Sequence, residues 1–385
     1  MSKLFTSESV SEGHPDKVCD QISDAVLDAH LEHDPGAHVA CETLVTTNFC
    51  LLAGEVKSHT EVDYERVARE TIRHIGYDLP DIGFHFGENT YQVRIHAQSP
   101  DIDHGVEDNK GAGDQGLMFG YACNETDALM PYPIQLAHRL LEALSETRRA
   151  GRLGWARPDA KSQVTVEYDR GVPVSITEIL LSVHHAPDAD MGSMKQDVLT
   201  KVVEPVLEAF RPAIPWNGHL LYNPSGRFAI GGPHGDAGVT GRKIIVDTYG
   251  GAGRHGGGAF SGKDTTKVDR SAAYMARHIA KNLVAAGVAD KCEIQLAYAI
   301  GRPEPVSVRV DTFDTGNVED NGLIAGAIRD IFPLRPYDII EYLGLRKPVF
   351  MKTAAFGHFG REPGPDGSFS WERTDRIEEV RSLLS

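Results

Sequence analysis

From Gly250 to Lys267 the chain reads GGAGRHGGGAFSGKDTTK, and seven of the thirteen residues from Gly250 to Gly262 are glycine. Lys263 and Lys267 follow at once. Glycine lets backbone N–H groups close on an anion with no side chain in the way, and it permits turns with positive φ. The pattern predicts a helix from Thr266, whose N-terminus adds partial positive charge. Loop, lysines and helix start together point to a cradle for a polyphosphate. Between Arg242 and Arg270 stand six Lys or Arg against three Asp or Glu, in a chain of net charge −16. A positive pocket inside an acidic envelope suits a small anion. The envelope itself repels nucleic acid and anionic lipid.

His14-Pro15-Asp16-Lys17 opens another predicted helix, with proline at the first helical position and Asp16 in the first turn. Thr266 and Asp269 have the spacing of a capping box. Both aspartates can simply complement a helix dipole. They can also hold Mg²⁺ against phosphates at two helix starts, because Mg²⁺ takes one or two carboxylates and completes its shell with water and phosphate. Asp159-Ala160-Lys161 reads as a solvated turn before a strand. Glu42 and Glu55 sit in strand-like surroundings, where a carboxylate needs a cation, an ammonium partner or a salt bridge. The 17 histidines show no HExxH or other ligand spacing, and His184-His185 reads as strand surface. No nucleophile elbow or reactive Cys–His motif is present.

Two textual matches to nucleotide motifs fail on context. Gly111-Ala-Gly113-Asp-Gln-Gly116 is literally GxGxxG, but a dinucleotide site needs a strand before it and a helix after it. A polar segment precedes it, and Leu117-Met118-Phe119 follows without helical pattern. Gly257 to Asp264 is a P-loop with one error, Asp264 standing where Ser or Thr would bind Mg²⁺. The apolar stretch Ile244–Val246, read as a strand, lies too far upstream for a P-loop. Phosphate binding by the same backbone survives that objection.

The elements that must position these residues recur as a helix followed by paired strands. Helices are predicted over 15–31, 131–149 and 266–286. Strand pairs follow at 38–48 and 50–57, at 162–169 and 174–184, and at 291–300 and 305–311. The pattern argues for an α+β layered fold with helices on one face of each sheet. Boundaries fall in the polar stretch 99–112 and near Gly231-Gly232-Pro233, giving 1–100, a mobile active-site loop at 101–112, 113–230 and 231–385. The five cysteines form no CxxC pair, the start MSKLFTSESVSEGHPDK has no apolar signal-peptide core, and no apolar run reaches the roughly 18 residues of a membrane span. A reduced, cytoplasmic, membrane-free protein is expected.

Read together, these segments resemble the S-adenosylmethionine synthetase (methionine adenosyltransferase) family in its bacterial form. The resemblance spans nearly the whole chain. It rests on GAGDQG at 111–116 and GGGAFSGKD at 256–264, with SEGHPDK at 11–17, RPDAKSQVT at 157–165, GRFAIGGPHGD at 226–236 and TGRKIIVDTYGG at 240–251. It implies three related βαβ-type α+β domains about a pseudo-threefold axis. It also implies a homotetramer, a dimer of dimers with active sites at the dimer interface. The implied reaction makes S-adenosylmethionine, phosphate and diphosphate from ATP, L-methionine and water, with Mg²⁺ (two per site) and K⁺.

Position by position, the resemblance assigns His14, Lys161, Arg242, Lys243, Lys263 and Lys267 to the triphosphate and its chemistry. Asp159, Arg227, Phe228, Asp236 and Ala259 complete the ATP contacts, Phe228 stacking on adenine. Asp16 and Asp269 match the Mg²⁺ ligands and Glu42 the K⁺ ligand. Glu55, Gln98, Asp114, Asp236 and Lys267 fall on the methionine side. The chain departs from the pattern in a shorter loop after Gln98, Ala97 in place of a lysine, His234 and Ala237, and Thr265-Thr266 in place of Pro-Ser. A thioether attacking C5′ has no proton to lose, so the difficulty lies in the departing polyanion. Cations, and no general base, fit that demand. A P-loop-like kinase or ATPase is the competing reading, and a non-catalytic nucleotide-binding subunit the third.

Overall fold

Three sheets carry the molecule, and each has helices against one face. The computed structural model describes residues 3–79, 82–97, 111–318 and 320–384. In chain order come β1 (Lys3–Val10), α1 (Pro15–Leu31), β2 (His38–Thr46), β3 (Phe49–Lys57), α2 (Tyr64–Ile75) and β4 (Thr90–Ala97). Next are β5 (Gly116–Cys123), α3 (Tyr132–Arg149), β6 (Ala156–Asp169), β7 (Val172–His185), α4 (Met191–Val198), a π-helical turn (Leu199–Val203), α5 (Glu204–Ala209) and β8 (Leu220–Tyr222). The rest is β9 (Gly238–Val239), α6 (Ile244–Asp247), α7 (Val268–Ala285), β10 (Lys291–Tyr298), β11 (Ser307–Asp311), α8 (Asn321–Ile331), α9 (Pro336–Leu343) and α10 (Ile377–Leu384). The α+β class expected from the sequence is the one found.

The strand orders are β1-β6-β7-β8, β11-β10-β5 and β4-β3-β2-β9. These sheets are not cut from contiguous stretches. β1 pairs antiparallel with β6, Lys3 opposite Tyr168, and β5 pairs antiparallel with β10, Gly116 opposite Tyr298. Each predicted chain segment therefore lends a strand to another segment's sheet. The expected active-site loop at 101–112 lies, up to residue 110, outside the described residues. Ala112 exchanges backbone hydrogen bonds with Gly301 and Arg302.

Helix α1 shows how side-chain period makes the layers. Val18, Ile22 and Val26 are fully buried against β2, whose alternate residues Val39, Cys41, Thr43 and Val45 point inward. The other β2 face carries Ala40, Glu42 and Leu44 and has no helix over it. One large core joins α1 and α7 with the second and third sheets, while a second lies between α3 and the β6–β7 pair.

Four local expectations need correction. Helix α7 starts at Val268, not Thr266, and Lys267 at its N-cap makes no side-chain cap. The Thr266–Asp269 capping box does not form, because Thr266 donates its hydroxyl to Asp264 at 2.6 Å while Asp269 is drawn to Lys263 at 2.6 Å. Ile244–Asp247 is one helical turn rather than a strand, so no strand feeds the glycine loop in P-loop fashion. His184 and His185 are buried, 2% and 1% exposed, because the 225–231 segment folds back over the end of β7. The GxGxxG stretch leads directly into β5 and no helix follows it, so the dinucleotide reading stays excluded.

The C-terminal segment is anchored by Glu372. Its carboxylate is buried and accepts from Arg277 at 2.9 Å, Lys281 at 2.7 Å and the Gly360 amide at 2.9 Å. Burial alone would raise this carboxyl, but Arg277 and Lys281 outweigh it and hold it near about 2 against an ordinary 4.5. A folded value below the unfolded one means the stability is fully present above about pH 4.5 and is lost as pH falls toward about 2. Glu372→Gln should cost about 3–5 kcal/mol at neutral pH by stranding two buried cations. It should also flatten the acid limb of stability, as urea unfolding across pH will show.

Candidate active site

The start of α1 gathers most of the predicted site. His14 is its N-cap, with φ −61° and ψ 137°, and Nδ1 accepts from the Asp16 amide at 3.2 Å. Pro15 fixes the first turn, so Asp16 follows in a defined direction. Asp16 is 1% exposed. Its Oδ2 accepts from Lys243 Nζ at 2.5 Å and its Oδ1 from the Val239 amide at 3.0 Å, with Arg242 Nε 3.6 Å away. Burial works to raise the Asp16 carboxyl, but the Lys243 and Val239 hydrogen bonds win and hold it below its usual range. His14 is driven down as well, to about 3, by burial first and then by Lys243, Lys161 and Lys17 against the pull of Asp16. Its ring is therefore neutral and can only donate or accept a hydrogen bond.

A break in the β6 ladder between Ala156 and Ala160 brings Asp159 and Lys161 to the same place. Asp159 is buried, and its Oδ2 accepts from the Gly232 amide at 2.8 Å. Its Oδ1 is buried with no partner. Burial raises its carboxyl to about 6, opposed by Gly232 and Lys161 and reinforced by Asp236. Lys161 is exposed on the β6 face that has no helix over it. Asp236, also exposed, hangs from the short turn Gly232–His234. Beside that turn, Phe228 lies 5.4 Å from the His184 ring at an interplanar angle of 32°. Its backbone is tied to His185 through Nε2 at 2.9 Å. Arg227 is exposed, with Nη2 donating to the Pro187 carbonyl at 2.8 Å. Burying the His184-His185 pair is thus what fixes Phe228, a role the sequence pattern did not suggest.

The glycine loop forms a second cluster. Lys263 pairs with Asp269 at 2.6 Å, both side chains about one-third exposed, and Lys267 pairs with Asp264. Gly258 lies against Asp269, since a Cβ there would stand 2.3 Å from Oδ1, so the loop reaches this carboxylate only as glycine. Asp114, exposed just before β5, stands two residues from Gly116, where an added Cβ would lie 3.7 Å from the same Oδ1. Ala259 packs against Gly241 and so touches the segment that carries Arg242 and Lys243. His255, missed in the sequence, accepts the Gly257 amide at 2.8 Å and braces the loop.

Glu42 and Glu55 form a third group. Glu42 faces Ala53 and Glu55 faces Ala40 across the β2–β3 ladder, which makes the two glutamates diagonal neighbours on the helix-free face. Gln98 lies outside the described residues. Helix α1 meets the glycine loop through Asp24, which accepts the Gly262 amide at 2.8 Å.

These donors fit the implied ions in a limited way. No group of three or more His, Cys, Asp or Glu that could hold a metal occurs among the described residues. Single carboxylates at two helix starts do not make a protein cage. They do suit Mg²⁺ that takes most of its shell from phosphate and water. Glu42 is a hard, exposed oxygen donor of the kind K⁺ accepts.

Comparison with protein families matches three consecutive stretches. Residues 2–100 match the S-adenosylmethionine synthetase N-terminal domain, 109–228 the central domain and 230–373 the C-terminal domain. Among the described residues no helix is long and apolar enough to cross a membrane.

The two lysine–aspartate pairs differ in burial, and their loss should differ accordingly. Lys243→Met leaves Asp16 buried without its nearest cation and should cost about 3 kcal/mol. Lys263→Met breaks a half-open pair and should cost less than about 1 kcal/mol. Parallel urea titrations of the two variants will show whether that order holds.

Proposed function

The chain belongs to the S-adenosylmethionine synthetase family and is a methionine adenosyltransferase, and from that premise we propose how its residues make S-adenosylmethionine from ATP and L-methionine. The observation that carries the reading is the concentration of His14, Asp16, Asp159, Lys161, Arg242 and Lys243 at one helix start. The triphosphate of ATP lies there, with adenine on Phe228. Lys263, Lys267 and Asp269 face it from a second copy of the chain. Two features support a site shared between copies. Asp16 and Asp269 are each paired with a different lysine. Lys161, Glu42 and Glu55 stand on sheet faces that no helix covers. A dimer of such dimers gives the expected homotetramer.

The methionine sulfur attacks C5′, forming the S–C5′ bond as the C5′–O bond breaks and the triphosphate leaves whole. No proton moves in this step. The residues act through charge: each cation about 4 Å from a developing negative charge contributes about 4 kcal/mol before desolvation. Asp16 gives up Lys243, and Asp269 gives up Lys263, so that both lysines can take phosphate oxygens. Mg²⁺, two per site, and K⁺ supply further positive charge when bound, with Asp16, Asp269 and Glu42 as their ligands. Glu55 pairs with the methionine ammonium, and Asp114 or Asp236 faces the sulfonium as it forms. Water then splits the tripolyphosphate to phosphate and diphosphate, with neutral His14 as a hydrogen-bond partner. The five cysteines, all free and buried, suit a reducing cytoplasm.

Incubation with ATP, methionine, Mg²⁺ and K⁺ should yield a sulfonium nucleoside, phosphate and diphosphate. Release of ADP would instead favour the kinase or ATPase reading. Lys263→Ala should lose about 10²–10³ in kcat, by analogy with other electrostatic donors, with an unchanged circular dichroism spectrum. Wild-type turnover in that variant would remove Lys263 from the catalytic set.

A further inference from the structure

Along α1 an aspartate recurs every fourth residue: Asp16, Asp20, Asp24 and Asp28. At 1.5 Å per residue these carboxylates stand about 6 Å apart on one slowly winding stripe. Each receives backbone amides from a distant part of the chain. Asp20 Oδ1 accepts from Gly241 at 2.8 Å, and Asp24 Oδ1 accepts from Gly262 at 2.8 Å. Asp28 accepts from Phe350 at 2.9 Å and Met351 at 2.8 Å. Asp20 and Asp24 are both fully buried.

The two middle aspartates have a common geometry. Gly241 and Gly262 both have positive φ, 78° and 82°. Each stands immediately before the cations assigned to the triphosphate, Arg242-Lys243 in one case and Lys263 in the other. Each segment is also gripped a second time. Asp20 accepts from Lys17 Nζ at 2.9 Å, and the same ammonium donates to Asp247 at 2.5 Å, four residues past Lys243. Asp24 takes both Nη atoms of Arg270, at 2.6 and 2.9 Å, and Arg270 Nη1 donates to the Lys263 carbonyl at 3.1 Å. Each cation is thus flanked by two contacts to one buried ion pair, the Gly241 amide and Asp247 side chain in one segment and the Gly262 amide and Lys263 carbonyl in the other.

We infer that Asp20 and Asp24 are positioning residues, and that α1 sets where Arg242-Lys243 and Lys263 stand before any substrate arrives. The inference rests on the triphosphate reading proposed above. Neither aspartate touches the reacting atoms. Each acts through a glycine amide one residue from a cation, Asp20 for the triphosphate held at its own α1 and Asp24 for the one held by the second copy.

The test uses the full-length protein with Asp20→Asn and Asp24→Asn, which keep side-chain shape but offer one acceptor oxygen to two or more donors. Calorimetric titration with inorganic tripolyphosphate gives Kd, and steady-state assays give KM for ATP and for methionine. Kd and the ATP KM should rise about 10- to 100-fold, the scale on which displacing a charge by about 1 Å acts. The methionine KM should stay near its wild-type value. A merely structural role would lower the melting temperature without separating the two KM values. Unchanged tripolyphosphate affinity in both folded variants overturns the inference. Hydrogen exchange on the wild-type protein is independent of variant folding. The amides of Gly241 and Gly262 should exchange slowly in the ligand-free state, and rapid exchange that slows only with tripolyphosphate overturns the inference too. Lys243→Met and Lys263→Met separate the two levels. If both keep tripolyphosphate affinity, the triphosphate reading fails. If they lose it while the aspartate variants keep it, only the positioning role fails.

Discussion

A buried carboxylate that accepts a backbone amide from far along the chain is the interaction on which this architecture turns. Helix α1 makes it at Asp16, Asp20 and Asp24, and again at half-buried Asp28, and so collects three segments separate in sequence, 239–241, Gly262 and 350–351. A hydrogen bond to a charged group is worth about 1.5–3 kcal/mol, more than a neutral one. Taking such a charge out of water costs several kcal/mol unless a cation comes with it. Lys17 and Arg270 are those cations, and both are fully buried. The arrangement gives specificity of position more than raw stability. An apolar helix face would bury as well but would not fix the place of one amide.

The same economy of charge governs the candidate site. Positive groups are held near one another only because carboxylates stand between them, Asp16 by Lys243 and Arg242, Asp269 by Lys263. Lysines without such partners would repel one another and spread the loops apart. In the proposed reaction the polyanion takes over from these carboxylates, so the resting protein holds the site in the shape of its substrate. Asp159 is the exception. Its Oδ1 is buried and unpartnered, and its carboxyl is pushed up to about 6 by burial. That leaves room for one donor from a bound molecule.

Much of the fold was legible where side-chain period is strong. The helix predicted over 15–31 is Pro15–Leu31, and the strand predicted over 291–300 is Lys291–Tyr298. Strand β5 was not read, because its small and aromatic residues Gly116–Cys123 carry no clean alternation when both faces are nearly buried. The start of α7 was placed two residues early, because Thr266 has the type of a cap but spends its hydroxyl on Asp264. The chemistry of the α1 cluster was visible in residue types, and Asp16, Lys161 and Lys243 do converge. What could not be seen was that Asp16 pairs with Lys243 and Asp269 with Lys263, since pairing across segments is a tertiary fact. The four-residue aspartate period was in plain view in the sequence. Spacing alone does not mark these carboxylates as buried, because carboxylates are rarely buried unless paired.

Strand β1 closes a sheet with β6, Lys3 opposite Tyr168 and Val10 opposite Lys161. A nascent chain emerging from a ribosome cannot complete that sheet until about 160 residues have been made. At about 5–20 residues per second that is roughly 8–30 s during which β1 exposes an unpaired edge. Helix α1, joined to β1 by a short loop, must wait with its buried lysine and aspartates still in water. The three family domains are therefore units of descent and not of folding, and a gene severed between them would yield fragments that each lack a strand.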